Sequence, residues 1–117
     1  MIILNRAYDK INTNGYRILV ERFWPRWVTK ENLKVDLWLK EIAPSNKLRQ
    51  WFMHDPVKWD EFRKKYFIEL NNNKENIGKI INLEKDKSII LIYSSSSKYN
   101  NAEALKEYIV NKNYVRR

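Results

Sequence analysis

Arg22 and Arg26 enclose a tryptophan and a proline in the stretch Glu21-Arg22-Phe23-Trp24-Pro25-Arg26. A guanidinium offers a planar fork of donors that matches a phosphate or a carboxylate, and an indole can stack on a base or a sugar. Arg22 and Arg26 are therefore a candidate anion clamp, with Trp24 as a stacking wall. A second polar cluster runs through Tyr93, Ser94, Ser95, Ser96 and Ser97, just before a segment with helical patterning. Hydroxyls and free N–H groups at a helix start suit an anion, because the aligned peptide dipoles place about half a positive charge there. A plainer reading stands beside this one: a serine loop with a cap, and an Arg22 paired with Glu21 or a helix carboxylate.

His54 is the chain's one histidine. It can serve as a general base oriented by Asp55 or Asp60, or as a structural hydrogen-bonder at a corner between helices. Lys40 is a further basic neighbour. No Ser/His/Asp order and no carboxylate pair stands out, so no catalytic residue is assigned. The absence of Cys removes disulfides and thiolate chemistry, and one His excludes a two-histidine metal site within one chain. With two glycines, Gly15 and Gly78, there is no glycine-rich phosphate loop. No cofactor is implied.

The chain's 117 residues, 44% of them apolar, suit one α/β domain over 1–117 with a real core. The longest apolar run, Ile89 to Tyr93, falls far short of the ~20 residues of a membrane span. The N-terminus lacks the pattern of a signal peptide, so a cytoplasmic protein is expected. Lys and Arg number 23 against 14 Asp and Glu, a net charge of +9 that favours anionic partners, nucleic acid included. Most of these bases alternate with acids on expected helices, which is also how a solvated face looks.

The elements that must position the candidates follow from pattern. Ile2 to Tyr8 and Tyr16 to Glu21 read as strands, separated by the turn cluster Asn12-Thr13-Asn14-Gly15, where Gly15 can adopt a left-handed conformation. Thr29 can cap a helix to about Ile42 with Leu33, Leu37, Trp38 and Ile42 inward, stopped by Ala43-Pro44. Ser45 can cap a short helix through Leu48, Trp51 and Phe52. Asp55-Pro56 starts another that lines up Trp59, Phe62, Tyr66 and Leu70 and ends at Asn71-Asn72-Asn73. A weaker helix covers Glu75 to Leu83. Ser88 to Tyr93 is continuously apolar, as in a strand covered on both faces, and a helix follows from Asn101 to Asn111. The strands at 16–21 and 88–93 are expected to be parallel neighbours in a small, mainly parallel sheet with helices packed on it. Ligands of such sheets bind beyond the carboxyl ends of the strands, where both polar clusters fall. Trp38, Trp51 and Trp59 read as core, Trp24 and Trp27 as exposed or ligand-facing. The tail from Asn113 to Arg117 is basic, short and expected to fray.

Several of these residues resemble a known family. Glu21 to Arg26, Leu37-Trp38-Leu39-Lys40-Glu41-Ile42-Ala43-Pro44-Ser45, Leu48-Arg49-Gln50-Trp51-Phe52 with His54, and Trp59, Phe62, Tyr66, Glu69 and Leu70 resemble the YeaO-like branch of prokaryotic domain-of-unknown-function family 488. Leu91-Ile92-Tyr93, Asn100, Ala102 and Leu105 extend the likeness, which brings Asn100 into the candidate site. The resemblance implies an α/β domain with its motifs at the strand ends, and no defined activity. The family usually has Asp at Glu21, Gly at Trp27, and Ala-Ala-Lys-Asp where Ser94 to Ser97 stand in a loop one residue shorter. Loss of that Lys and Asp makes binding a better expectation than catalysis. Two further expectations are a nucleic-acid or protein-binding module using the basic surface and the Trp24 to Trp27 edge, and an oligomer interface there.

Overall fold

The computed structural model describes the backbone of residues 1–116 and the side chains of residues 1–111. The basic tail from Asn113 to Arg117 lies outside the residues described to side-chain level. Strands β1 (Ile2–Arg6), β2 (Tyr16–Leu19), β3 (Leu37–Trp38) and β4 (Ile89–Tyr93) form one sheet in the order β1-β4-β2-β3, with every pair parallel. β4 is central, and Ile89, Ile90, Leu91 and Ile92 are fully buried because both faces are covered. Ile89 and Leu91 join Ile18 and Val20 on one face, whereas Ile90 and Ile92 join Leu19 on the other. That two-sided burial is why the strand reads as an unbroken apolar run.

Helices cover the first face: α2 (Asn46–Phe52), α3 (Trp59–Asn71), α4 (Lys74–Glu84) and α5 (Asn101–Arg116). Phe62, Tyr66 and Leu70 recur at helical spacing and bury the α3 stripe in the helix-side core. Polar ties hold these helices in place. Ser45 caps α2 at the Leu48 N–H, and Glu69 of α3 accepts from the Ser45 N–H at 2.9 Å and its hydroxyl at 2.6 Å. The Tyr66 hydroxyl donates to the Ile42 carbonyl at 2.7 Å, and Arg63 pairs with Glu107 between α3 and α5. The Ala43-Pro44-Ser45 stretch, prominent in the sequence, is thus anchored to α3. Asp55 caps the turn at Pro56–Lys58 that leads into α3, and α4 runs close to its expected span.

The other face carries a smaller cluster of Ala7, Leu19, Leu33, Ile90 and Ile92, closed by Ile11, Trp24, Val28 and Val35. One turn of helix, α1 (Lys30–Leu33), is all the helix it receives. The helix expected from Thr29 to Ile42 is therefore corrected. Thr29 does cap, but Lys34 turns left-handed after one turn, Leu37 and Trp38 become β3 beside Ile18 and Leu19, and Lys40–Ile42 is a 3-10 turn. The apolar spacing is real, but Leu33 belongs to the small cluster while Leu39 and Ile42 belong to the helix-side core. A single helix face could not serve both sides of a sheet. Trp38, read as core, stands on the exposed edge strand. Gly15 is also corrected: its φ is not positive, and a Cβ would lie 2.9 Å from the Ser88 carbonyl oxygen. Close approach of the β1–β2 connection to β4, not turn conformation, requires glycine there.

Candidate functional site

A cleft of about 260 Å³ opens at the carboxyl ends of β2 and β4, on the helix-covered face of the sheet. Pro44, Phe52 and Phe62 form its apolar floor. Phe52 and Phe62 stack with centroids 4.1 Å apart, which fixes the floor rigidly. Glu21, Arg49, His54, Ser94, Ser95 and Asn101 supply its polar walls.

Glu21 sits just past the β2 ladder. Burial pushes its carboxyl up from 4.5 to about 7, against smaller opposing effects of the Asn101 amide, the Arg49 charge and the Ser94 backbone N–H. Its Oε2 is buried and has no hydrogen-bond partner among the described residues. Asn101 is held by donating to the Val20 carbonyl at 2.8 Å, and the Glu21 carbonyl is held by the Trp38 indole N–H at 2.7 Å. The backbone and a neighbouring amide are thus fixed, while one carboxyl oxygen is enclosed without a hydrogen-bond partner among the described residues.

Met53 and His54 both adopt left-handed backbone, with φ of 46 and 55. Each non-glycine residue in that region costs roughly 1 kcal/mol, and such strain gathers at sites where a side chain must be aimed. Here it turns the imidazole back over the Phe52 ring, at 5.6 Å, and brings Nδ1 to 3.2 Å from the Tyr99 carbonyl and 3.4 Å from the Ser95 hydroxyl. Donation from Nδ1 to Tyr99 leaves Nε2 as the acceptor nitrogen of that tautomer. Asp55 and Asp60 do not orient the ring: Asp55 caps the Val57 N–H and Asp60 pairs with Arg63.

The other anticipated residues divide. Ser94 and Ser95 line the cleft, and the Arg6 guanidinium holds both their carbonyls at 3.2 Å. The Ser95 hydroxyl also accepts from the Ser97 N–H, and the Ser97 hydroxyl from the Tyr99 N–H. Ser96 is exposed, and Tyr93 is half-buried against the main core. Asn100, not a serine, caps α5: it is buried, accepts from the Glu103 N–H and donates to Ser97. Arg22 turns away from the cleft, donating to the Pro44 carbonyl at 3.2 Å with its Nε buried and unpartnered. Trp24 donates to the Val28 carbonyl at 2.6 Å and meets Trp38 edge-on in the small cluster, so its ring is packing material. Lys40 lies over the exposed Trp38 ring, and Arg26 is exposed beside Trp27. Trp27 itself is 96% exposed.

Arg49, Asn101 and the carboxyl of Glu21 are the site residues that sequence reading passed over. Glu21 carried a usable signal, an acid at the end of a branched strand. Arg49 carried none, since a basic residue in an amphipathic helix reads as solvent-facing. No cluster of His, Asp and Glu able to hold a metal ion occurs among the described residues. No helix among them is long and apolar enough to cross a membrane.

A small parallel α/β domain with a carboxylate-bearing cleft at its strand ends is the class defined by this geometry. The chain belongs to the YeaO-like DUF488 family: over residues 1–116 it matches the family model described as the inactive DUF488-N3 subclade. It is 36% identical over 106 residues to the uncharacterized protein YeaO of Escherichia coli K12, covering 89% of this chain and 92% of that one. It is 41% identical over 69 residues to the uncharacterized protein Rv3073c of Mycobacterium tuberculosis H37Rv, 58% of either chain. No solved structure matches.

Proposed function

We propose that this protein binds a small anionic molecule in the strand-end cleft and does not turn it over. The supporting observation is convergence: Arg49, the His54 ring and the Ser94–Ser95 turn meet above one aromatic floor, whereas Arg22 and Arg26 lie elsewhere. Arg49 supplies the cation, and Ser95 and Asn101 supply hydrogen-bonding groups. The volume lies just under the ~300–1,000 Å³ of typical ligand pockets, which favours a fragment-sized carboxylate or phosphate over a whole nucleotide. Binding without turnover is in keeping with the description of the matched subclade as inactive and with the serines standing where the family usually has Lys and Asp. The nucleic-acid alternative loses Trp24, whose indole is occupied by Val28 and Trp38, and keeps the exposed Trp27 beside Arg26. Calorimetric titration with 2-hydroxyethyl phosphate and with glycerate tests the reading. Saturable binding that Arg49→Ala weakens at least tenfold and Arg26→Ala leaves alone is expected. No heat from either probe, or dependence on Arg26 and not Arg49, would overturn it.

A further inference from the structure

Glu21 is an unusual wall for an anion site. Carboxylates taken out of water are almost always paired, and a buried polar atom without a partner is rare enough to need a physical reason. Oε2 of Glu21 has no partner among the described residues, and no cation lies within ion-pair distance of the carboxyl among them. Arg49 acts on it only through space, while reaching Asn46 with one nitrogen and lying 5.0 Å from the Phe23 ring. The cleft therefore holds a buried carboxyl without an ion-pair partner at one wall, about half ionised at neutral pH, and a more exposed guanidinium at another. A purely anionic guest satisfies the second and repels the first.

Resting on the anion-site reading, we propose that the ligand is a zwitterion whose protonated amine pairs with Glu21 and whose carboxylate or phosphate meets Arg49. The chemical class is a free amino acid or a short aminoalkyl phosphate, small enough for a cleft of about 260 Å³. The groups facing Glu21 are compatible with this assignment. Asn101 and the Ser94 N–H steady the carboxyl, Arg49 is the one full cation acting on it, and the buried Tyr66 hydroxyl is a neutral donor already bound to Ile42. His54 also lines the cleft, bonded through Nδ1 to Tyr99.

The signature is the dependence on pH. A carboxyl poised at about 7 must be ionised to hold an ammonium group, so the competent fraction grows as pH rises from 6 to 8. Affinity for the amine-bearing ligand then rises about tenfold over that interval, in proportion to the competent fraction. An amine-free anion of the same shape shows the opposite trend, because ionised Glu21 repels it. Both members of each pair share the anionic end, so the comparison isolates the amine.

Matched pairs test this by calorimetry on the full chain: serine against glycerate, and 2-aminoethyl phosphate against 2-hydroxyethyl phosphate. At pH 8 the amine-bearing member of at least one pair is expected to bind tenfold or more tightly than its partner, with the gap closing by pH 6. Glu21→Gln should abolish the gap while preserving binding of the amine-free member. In the unmodified protein at pH 7, amine binding should release about half a proton to buffer, which reads the same coupling without a variant. Equal binding within each pair, or an amine preference that survives Glu21→Gln, overturns the zwitterion and leaves the anion site standing. Failure of both amine-free probes removes the anion site whatever the other two do, and failure of all four removes the zwitterion with it.

Discussion

Two regions at the carboxyl ends of the sheet, the segment after β2 and the cleft beside it, behave differently. The segment from Arg22 to Trp27 carries the residues most readily taken for a binding site, yet Arg22 and Trp24 have protein carbonyls as partners and Trp24 closes the small core. The neighbouring cleft is walled by an acid, a helix arginine and an asparagine that attract little notice singly, and among the described residues the Glu21 Oε2 there, like the Arg22 Nε outside it, is buried without a partner. Residue type says what a side chain can do. Convergence around one cleft says where the fold lets it act on a ligand.

Substitutions on the two sides should separate cleanly. Trp24→Ala removes a large ring and a hydrogen bond from the small cluster and should cost about 3–4 kcal/mol in chemical denaturation, while cleft binding persists in whatever fraction remains folded. Glu21→Gln should act in the opposite direction, and only above acid pH. Because burial raises the folded-state carboxyl from 4.5 to about 7, the native form binds its proton more tightly than the unfolded chain does. Stability contributed by that proton is complete below 4.5 and is lost as pH rises to about 7. Removing the charge should therefore stabilise the protein by about 2–3 kcal/mol at pH 8 and by little at pH 5. A denaturation series across that range reads the crossover, and equal effects at both ends would show that the carboxyl is not held uncharged by burial.

Ser45→Ala tests the support of the cleft. It removes the α2 cap and one of two bonds to Glu69, and about 1–2 kcal/mol of destabilisation is expected, with weaker ligand binding because Arg49 rides on that helix. Trp27→Gly is the smallest. Trp27 has φ 69 and no burial, so glycine relieves the strain, and a gain of up to about 1 kcal/mol in thermal unfolding with unchanged cleft binding is expected. A loss would mean that the exposed indole supports the fold.

The sheet was largely legible in the sequence. Burial on both faces writes itself as the run Ile89 to Tyr93, and capping chemistry marks Thr29, Ser45 and Asp55 at the starts they occupy. The segment from Lys34 to Ile42 was not, because its apolar spacing fits a helix and only pairing with β2 selects a strand. The site was half legible. A cleft does open at the strand ends, and His54, Ser94 and Ser95 line it. At the end of β2 the alternation breaks: Val20 belongs to the helix-side core and Glu21 faces the same side. Period-two reasoning would send Glu21 to the opposite face. Arg49 and Asn101 reach the cleft through helix docking, which spacing along one helix does not encode.

The most direct test of the cleft as the ligand site is a two-dimensional amide NMR titration of the full chain with 2-hydroxyethyl phosphate. Saturable shifts should centre on Glu21, Arg49, His54, Ser94, Ser95 and Asn101, with Arg26, Trp27 and Lys40 unmoved. Shifts confined to Arg26, Trp27 and Lys40, or none at saturating phosphate ester, would contradict it.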